Sequence, residues 1–566
     1  MLSRPWLKFY DPDVPAELTI PPWTVPDLLR NSARRYPKQT ATVFMGARMS
    51  YARLLGQVDR LAAGLYSLGI RKGDRVAIMM PNCPQTIIAY YAVLSLGAVT
   101  VMTNPLYVAR ELEHQWGDAG VKMVLSLDLF WPQIQEVRTK LPVQYVILSG
   151  IQDYMPAFKK WLAPLALRRR GQWVSVRYSD TVLSWWRILA RKYPAPPPVD
   201  LQPTDLACLQ YTGGTTGLPK GAMLTHRNLI ASICQIRTFL LAGHQDAEDR
   251  ALAIMPFFHV YGMNGLMNLG VYLAATLILI PRPEIKTIVD AIQSERPTFF
   301  TGVPALYAAL NNYRGIDRVD MSSIKAMFSG ASPLPVEVME QFEARVGTRI
   351  AEAYGLTEAA SVTHVNPRRG RRKFGSIGVP IIGTDAKIVD VNNPDRELGV
   401  GEAGELLVKG PQVMQGYWNA ADETARTLVD GWLRTGDIAR MDEEGYFYIV
   451  DRKKDLILSA GYNVYPREVE EVLYQHPKVL EAAVVGLPDG LRGEKIAAFV
   501  TLKPGQTATA AEIRSFCRER LAPYKQPRLV VFREELPKTL AGKVLRRKLR
   551  EEWLEREGKG RMRDEG

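Results

Sequence analysis

YARLLGQVDRLAAGLYSLGIRKGDRVAIMM, Tyr51 to Met80, is a helical stretch that runs through a glycine-bearing turn into a strand-like apolar run. The same alternation recurs outward from it. VKMVLSL (Val121 to Leu127), YVILSG (Tyr145 to Gly150) and TLILIP (Thr276 to Pro281) are further apolar runs of strand length, separated by segments with helical character. Strands buried on both faces read as continuous apolar runs, and their alternation with helices marks an α/β protein built on largely parallel sheets. The first two hundred residues form one such layer, and YPAPPPVD, Tyr193 to Asp200, is a proline-rich connector that breaks regular structure. From Gly375 the pattern shortens to Gly- and Val-rich strands and turns, in GSIGVPIIGTDAKIVD, GELLVKGPQVMQGYW and GYFYIVDRKKD, which predicts a β-rich subdomain. After Asp451, PREVEEVLYQHP, LEAAVVGLPD, KIAAFVTLK and ATAAEIRSFCRERL read as helix, strand, strand and helix of a small α+β unit. The expected division is therefore 1–450 and 451–566, with a polar tail, REEWLEREGKGRMRDEG, expected to fray.

At 566 residues the chain exceeds one compact core, and 47% hydrophobic with 23% charged residues excludes global disorder. Its four cysteines, Cys83, Cys208, Cys234 and Cys517, have neither metal-type nor disulfide-type spacing and read as buried thiols of a reducing compartment. The opening MLSRPWLKFYDPDVPAELTIPPW lacks the apolar core of a secretion signal, so a cytoplasmic protein is expected. Met263 to Ile280 is free of charge, but Asn264 and Asn268 interrupt it and ATLILI reads as a buried strand, so no membrane span is expected there.

Net charge is +13, which suits an anionic lipid surface, a nucleotide or a nucleic acid. No nucleic-acid-binding motif accompanies it, so nucleic acid is set aside. Lys159 to Lys192 carries nine Lys or Arg against the single Asp180, interleaved with Trp161, Trp173, Trp185 and Trp186. Such a segment can dock to an anionic membrane surface, on the inner face of the cell membrane, or it can pack its tryptophans on its own domain.

The richest local motif is YTGGTTGLPKG, Tyr211 to Gly221. Glycines let backbone N–H groups approach phosphate oxygens, while threonine hydroxyls and Lys220 add donors and a cation. The spacing from Gly213 to Gly217 and the Gly after Lys220 exclude a Walker A loop.

YTGGTTGLPKGAMLTHRN is similar to the AMP-binding signature of the adenylate-forming superfamily, which includes acyl-CoA synthetases, 4-coumarate-CoA ligases, luciferases and peptide-synthetase adenylation domains. FSGASPL (Phe328 to Leu334), YGLTEAA (Tyr354 to Ala360), WLRTGDIA (Trp432 to Ala439), YIVDRKKDLILSAGYNVYPREVE (Tyr448 to Glu470) and PKTLAGKVLRRKL (Pro537 to Leu549) follow in that family's order. GYNVYP resembles the bacterial long-chain fatty-acid-CoA ligases. The resemblance implies ATP-dependent ligation of a medium- to long-chain fatty acid to coenzyme A through an acyl-AMP, with release of pyrophosphate and AMP. Its co-substrates are then ATP and CoA, with Mg2+ as cofactor, and the family analogy adds a homodimer.

The residue roles it implies follow the same motifs. Thr212, Gly213, Gly214, Thr215, Thr216 and Lys220 would hold phosphates, and Gly330, Ala331, Ser332, Glu352, Ala353, Tyr354 and Gly355 would line the nucleotide site. Thr357 would meet the α-phosphate, Glu358 and Thr215 the metal, and Asp437 with Arg452 the ribose. Lys543 would be the catalytic cation, a long mobile point charge suited to bridging carboxylate and α-phosphate. Lys538, Arg546, Arg547 and Lys548 beside it read as solvated, or in part as neighbours of the nucleotide. Asp451 would be the hinge of a mobile C-terminal domain, Gly461 and Asn463 would adjoin the CoA arm, and His259 in PFFHVYG would stand at the acyl tunnel, unless it is an ordinary core histidine. Glu352, where some relatives carry glutamine, and Ala460, where some carry lysine, depart from the pattern. The rival readings are an aryl-CoA ligase, a fatty-acyl-AMP ligase and a non-catalytic membrane-bound scaffold.

Overall fold

A computed structural model describes residues 4–15, 17–169, 171, 173–212, 219–453, 455–459, 462–489, 493–538 and 544–564, with backbone alone at 462, 463, 493 and 557–564. Packing divides the chain into two compact units. One comprises Trp6–Asp385 and Lys409–Leu433; the other comprises Met1–Pro5, Ala386–Val408 and Arg434–Gly566.

The larger unit is α/β, as its apolar runs predict. Its described residues include a seven-stranded sheet ordered Val182–Ser184, Tyr145–Ser149, Met123–Leu127, Arg75–Met79, Val99–Met102, Leu206–Tyr211 and Gly221–Thr225. All neighbours in it are parallel except the last pair. A nine-stranded sheet runs from Val379–Pro380 through Ser361–Val365, Ile350–Leu356, Ala326–Ser329, Phe299–Gly302, Arg250–Ala253, Thr276–Leu279 and Thr40–Phe44 to Ala47–Ser50. The helix Tyr51–Ser67 forms as its spacing predicts: Ser50 caps it by accepting from Arg53 N–H, and Leu54, Val58, Leu61 and Leu65 share its buried face. Asn82 ties the two sheets together. Its amide donates to the carbonyls of Ala253 and Met255, and its oxygen accepts from Phe257 N–H, each at 2.9 Å.

Met263 to Ile280 is not a membrane span. It folds into the short helical turns Met263–Asn268 and Leu269–Tyr272 and the buried strand Thr276–Leu279, with Asn264 and Asn268 satisfied inside the protein. Among the described residues no helix is long and apolar enough to cross a membrane. All four cysteines are buried free thiols.

In the smaller unit the period-two alternation of strand Val479–Asp489 builds two cores at once. Ala482 and Val484 join Ile496, Ala498 and Val500 under the helices Pro466–Tyr474 and Ala510–Arg518, through Val469, Leu473, Ile513 and Cys517. Ala483, Val485 and Leu487 face the other way, with Ala497, Phe499, Leu536 and Leu549. The helix Arg546–Asp564 takes up the tail, seated by Leu549 and Trp553 and supported by an i,i+4 pair between Arg547 and Glu551.

Candidate active site

The carboxyl ends of the parallel strands in the nine-stranded sheet carry one group of the larger unit's candidate residues, where an open α/β sheet offers room for a ligand. Strand Ala326–Ser329 ends in Gly330, Ala331 and Ser332; its parallel neighbour Ile350–Leu356 carries Glu352, Ala353, Tyr354 and Gly355 and ends in Thr357 and Glu358. Ala331 sits in the left-handed region at φ 70°. Gly355 must be glycine, because a Cβ there would stand 1.5 Å from the backbone oxygen of Ser361. Glu352 is buried and its carboxylate accepts from Leu334 N–H at 3.1 Å, so it braces the FSGASPL loop from within. His259 caps the helical turn that follows it, Nδ1 accepting from Tyr261 N–H at 3.3 Å. Tyr261 in turn lies beside Gly330, whose Cβ would meet its ring at 3.5 Å, so PFFHVYG and FSGASPL share one wall.

A second group gathers around the threonine-rich loop. Strands Leu206–Tyr211 and Gly221–Thr225 are antiparallel, and Thr212 N–H donates to Lys220 C=O at 2.9 Å, which extends their pairing by one residue on each side. The segment carrying Tyr417 and Trp418 pairs with this hairpin, Trp418 N–H donating to Gly221 C=O at 2.8 Å. That pairing sets Tyr417 between two candidates: its hydroxyl donates to Glu358 Oε1 at 2.7 Å, and Lys220 Nζ lies 5.5 Å from its ring centre. Lys220 is paired with Glu423 at 2.5 Å, and this bond, then the nearby charge of Lys220 and the neighbour Arg426, hold the Glu423 carboxyl below its usual range. Burial, then the charge of Glu358, push the Tyr417 phenol up, so it stays a proton donor throughout the neutral range.

In the smaller unit Asp437 and Arg452 stand opposite each other on antiparallel strands and form an ion pair, Nε to Oδ1 at 2.9 Å, with the Asp437 side chain only 5% exposed. Buried Glu405 binds Arg434 at 2.6 Å and Lys453 at 3.2 Å beside them. Asp451 is buried and accepts from Arg452 N–H at 2.7 Å and Arg467 N–H at 2.8 Å. Burial pushes its carboxyl up to about 6, against the lowering by Arg546 and those two N–H groups.

Arg546 is a correction to the sequence reading. It is not solvated: its guanidinium takes Glu470 through Nε and both Glu470 oxygens through Nη2, at 2.7 to 3.1 Å, and Asp455 through Nη1 at 3.1 Å. Burial pulls its pKa down, but Glu470, Asp451 and Asp455 outweigh burial and hold it above the usual range. Lys538 pairs with Glu481 and forms a β-bridge with Val544.

Residues 29–418 match the AMP-binding enzyme family and residues 468–543 match the C-terminal domain of AMP-binding enzymes. The chain belongs to the AMP-binding enzyme family. Over 558 residues, 98% of this chain and 99% of the relative, it is 45% identical to a long-chain-fatty-acid–CoA ligase of Bacillus subtilis (strain 168). Its fold matches ATP-bound MatB from Rhodopseudomonas palustris at a TM-score of 0.82 and 28% identity, covering 94% of this chain and 99% of that one. It also matches an anthranilate CoA ligase in complex with anthranoyl-AMP at a TM-score of 0.83 and 26% identity, covering 95% and 98%.

In this AMP-binding enzyme the structure brings together Thr212, Lys220 and Glu358 in the larger unit, and Asp437 with Arg452 in the smaller. Gly213, Gly214, Thr215, Thr216, Ala460, Gly461 and Lys543 lie outside the described residues, as does the side chain of Asn463. Linear reading missed Tyr417 and Glu423. Their partners lie 59 and 203 residues upstream, and the one visible cue was a glycine–aromatic run, QGYW, read only as strand.

Proposed function

We propose that this chain is an AMP-forming acid–thiol ligase that joins a medium- to long-chain fatty acid to coenzyme A. The near-full-length identity of 45% to a long-chain-fatty-acid–CoA ligase carries the reading. The cluster of Lys220, Tyr417 and Glu358 supports it, because a polyphosphate needs a cation and an oriented oxygen ligand at the end of a glycine-bearing loop.

A carboxylate has no good leaving group. One of its oxygens attacks the α-phosphorus of ATP, the bond to the β-phosphate oxygen breaks, and pyrophosphate leaves with an acyl-AMP formed. The thiol of CoA then attacks the acyl carbon, loses its proton, and AMP departs carrying the carboxylate oxygen. Neither step requires a nucleophilic side chain; both require positioning and neutralised charge. In this reading Thr212, Gly213, Gly214, Thr215, Thr216 and Lys220 hold the β- and γ-phosphates. Lys220 leaves Glu423 to do so. Thr357 meets the α-phosphate, Asp437 and Arg452 hold the ribose, and Lys543 stabilises charge at the carboxylate and α-phosphate. His259 lies toward the acyl chain, and Gly461 and Asn463 toward CoA.

Among the described residues no group of three or more His, Cys, Asp or Glu stands ready to hold a metal. Glu358, oriented by Tyr417, fits Mg2+, which takes few protein ligands and is held largely by phosphate and water. When bound, Mg2+ neutralises phosphate charge.

Rotation about Asp451 between the two half-reactions, with 451–566 as the moving body, belongs to the same proposal. Packing units need not coincide with moving bodies, and hinges are only a few residues long. So do assembly as a homodimer and a working position in the cytoplasm against the inner face of the cell membrane.

The test is carboxylate-dependent ATP–pyrophosphate exchange without CoA across fatty and aryl acids, then thioester detection with CoA. Exchange with long fatty acids followed by thioester is expected. Exchange with aryl acids alone would replace the reading with an aryl-CoA ligase, and acyl-AMP that never reaches CoA would replace it with an acyl-AMP ligase.

A further inference from the structure

The helix Ala157–Arg169 presents four of its five large apolar side chains outward, Leu167 alone being half-buried. Phe158, Trp161, Leu162 and Leu165 are 64%, 81%, 48% and 55% exposed, while Ala163 is the buried residue of the helix. Their spacing, i, i+3, i+4 and i+7, gathers them into one stripe about 100° wide. A stripe of this kind normally faces a core; here it faces solvent. At about 100° per residue Lys159, whose Nζ donates to Met45 C=O at 2.7 Å, and Arg168 fall on the two flanks of the stripe and Arg169 beyond its end, and the helix carries no acidic residue.

The tryptophans of this region divide sharply. Trp185 is fully buried with Nε1 donating to the Tyr154 hydroxyl at 3.1 Å, and Trp186 stacks on the Tyr154 ring at 5.5 Å. Trp161 and Trp173 are exposed, Trp173 lying under the Arg168 guanidinium at 5.0 Å. The inward pair anchors the segment to its own unit, and Trp161 is left in the outward apolar stripe. Among the described residues Trp161 is the most exposed large hydrophobic side chain.

We infer that the helix Ala157–Arg169 is a lipid-docking element, which lays Phe158, Trp161, Leu162 and Leu165 into the interface of an anionic bilayer while Lys159, Arg168 and Arg169 meet its headgroups. An apolar stripe edged by cations, with no acid on the helix, complements a surface that is apolar within and negative at headgroup depth. A second copy of this chain would offer no such complement, since the protein is itself strongly basic. The inference extends the proposed position at the membrane by naming the element that makes contact. It concerns residues outside the catalytic and nucleotide-binding set.

The experiment uses the full chain and extruded vesicles, either phosphatidylcholine alone or phosphatidylcholine with phosphatidylglycerol, without ATP or CoA. Wild type should co-sediment with the anionic vesicles and weakly with the neutral ones. The double variant Trp161→Glu, Leu165→Glu should bind the anionic vesicles at least about tenfold more weakly. Its turnover of a water-soluble short-chain acid should match wild type, which shows that it is folded. Equal vesicle binding by variant and wild type, or no preference of wild type for anionic vesicles, overturns the inference. So does a wild-type dimer that the variant converts to monomer without any vesicle binding, because a second copy then covers the stripe. Absence of ligase activity in both proteins would strike the proposed function alone, since vesicle binding is read without turnover.

Discussion

Replacing Tyr417 by Phe removes one hydroxyl and keeps the ring. The backbone pairing that holds residue 417 against the hairpin is untouched, as is the ring face toward Lys220. What is lost is the 2.7 Å hydrogen bond to Glu358 Oε1. A hydrogen bond to a charged group is worth about 1.5–3 kcal/mol. If Glu358 must keep its orientation in the transition state of adenylation, the loss appears there in full, as a fall of about 10- to 150-fold in rate. The assay is palmitate-dependent ATP–pyrophosphate exchange without CoA at a series of Mg2+ concentrations. In parallel, thioester formation from supplied palmitoyl-AMP should be largely unchanged, because that half-reaction needs no triphosphate. Exchange should fall and its Mg2+ requirement should rise. Exchange within about twofold of wild type would refute the reasoning, as would equal losses in both half-reactions.

Glu423→Gln frees Lys220 from a pair whose side chains are each 37% exposed. Such a pair is worth about 0.2–1 kcal/mol, so the KM for ATP should fall by about 1.5- to 5-fold, and less at high salt; an unchanged or raised KM would contradict this. Asp451, with its carboxyl pushed up to about 6, binds its proton more tightly folded than unfolded. The stability this confers is present below about pH 4 and is lost as pH rises to about 6, some 3 kcal/mol at about 1.4 kcal/mol per unit. Urea unfolding of wild type and Asp451→Asn should show wild type losing that much relative to the variant between pH 4 and 7, whereas parallel curves would contradict it. Arg546→Met leaves Glu470 and Asp455 without their counter-charge and should cost about 3–5 kcal/mol in the same assay; a loss under about 1 kcal/mol would show that the network is solvated. Lys543→Ala should cripple exchange while sparing thioester formation from supplied acyl-AMP, and equal loss of both would remove the role proposed for Lys543.

The layered α/β architecture was legible because its strands carry their burial in their own sequence. The runs at Arg75–Met79, Met123–Leu127, Tyr145–Ser149 and Thr276–Leu279 all became strands of the two sheets. The continuous apolar run within Val479–Asp489 likewise fits a strand covered on both faces. Candidates inside ordered motifs, such as Glu358, Asp437 and Arg452, could be named from motif position, and the Asp437–Arg452 ion pair is a feature that the strand pairing adds. What linear reading could not supply is pairing at a distance. Arg546 looked like one more cation in KVLRRKL, yet its partners lie 76 and 91 residues upstream. Composition likewise placed four tryptophans in one basic segment without separating buried Trp185 from exposed Trp161, a difference set by Tyr154.

Oxygen tracing with palmitate labelled with ¹⁸O in its carboxylate, ATP and CoA tests the central claim most directly. Attack of the carboxylate on the α-phosphorus followed by thiolysis predicts one ¹⁸O in AMP, none in pyrophosphate, and one retained in palmitoyl-CoA. Label in inorganic phosphate or pyrophosphate, or unlabelled AMP accompanying labelled thioester, would contradict the acyl-AMP route.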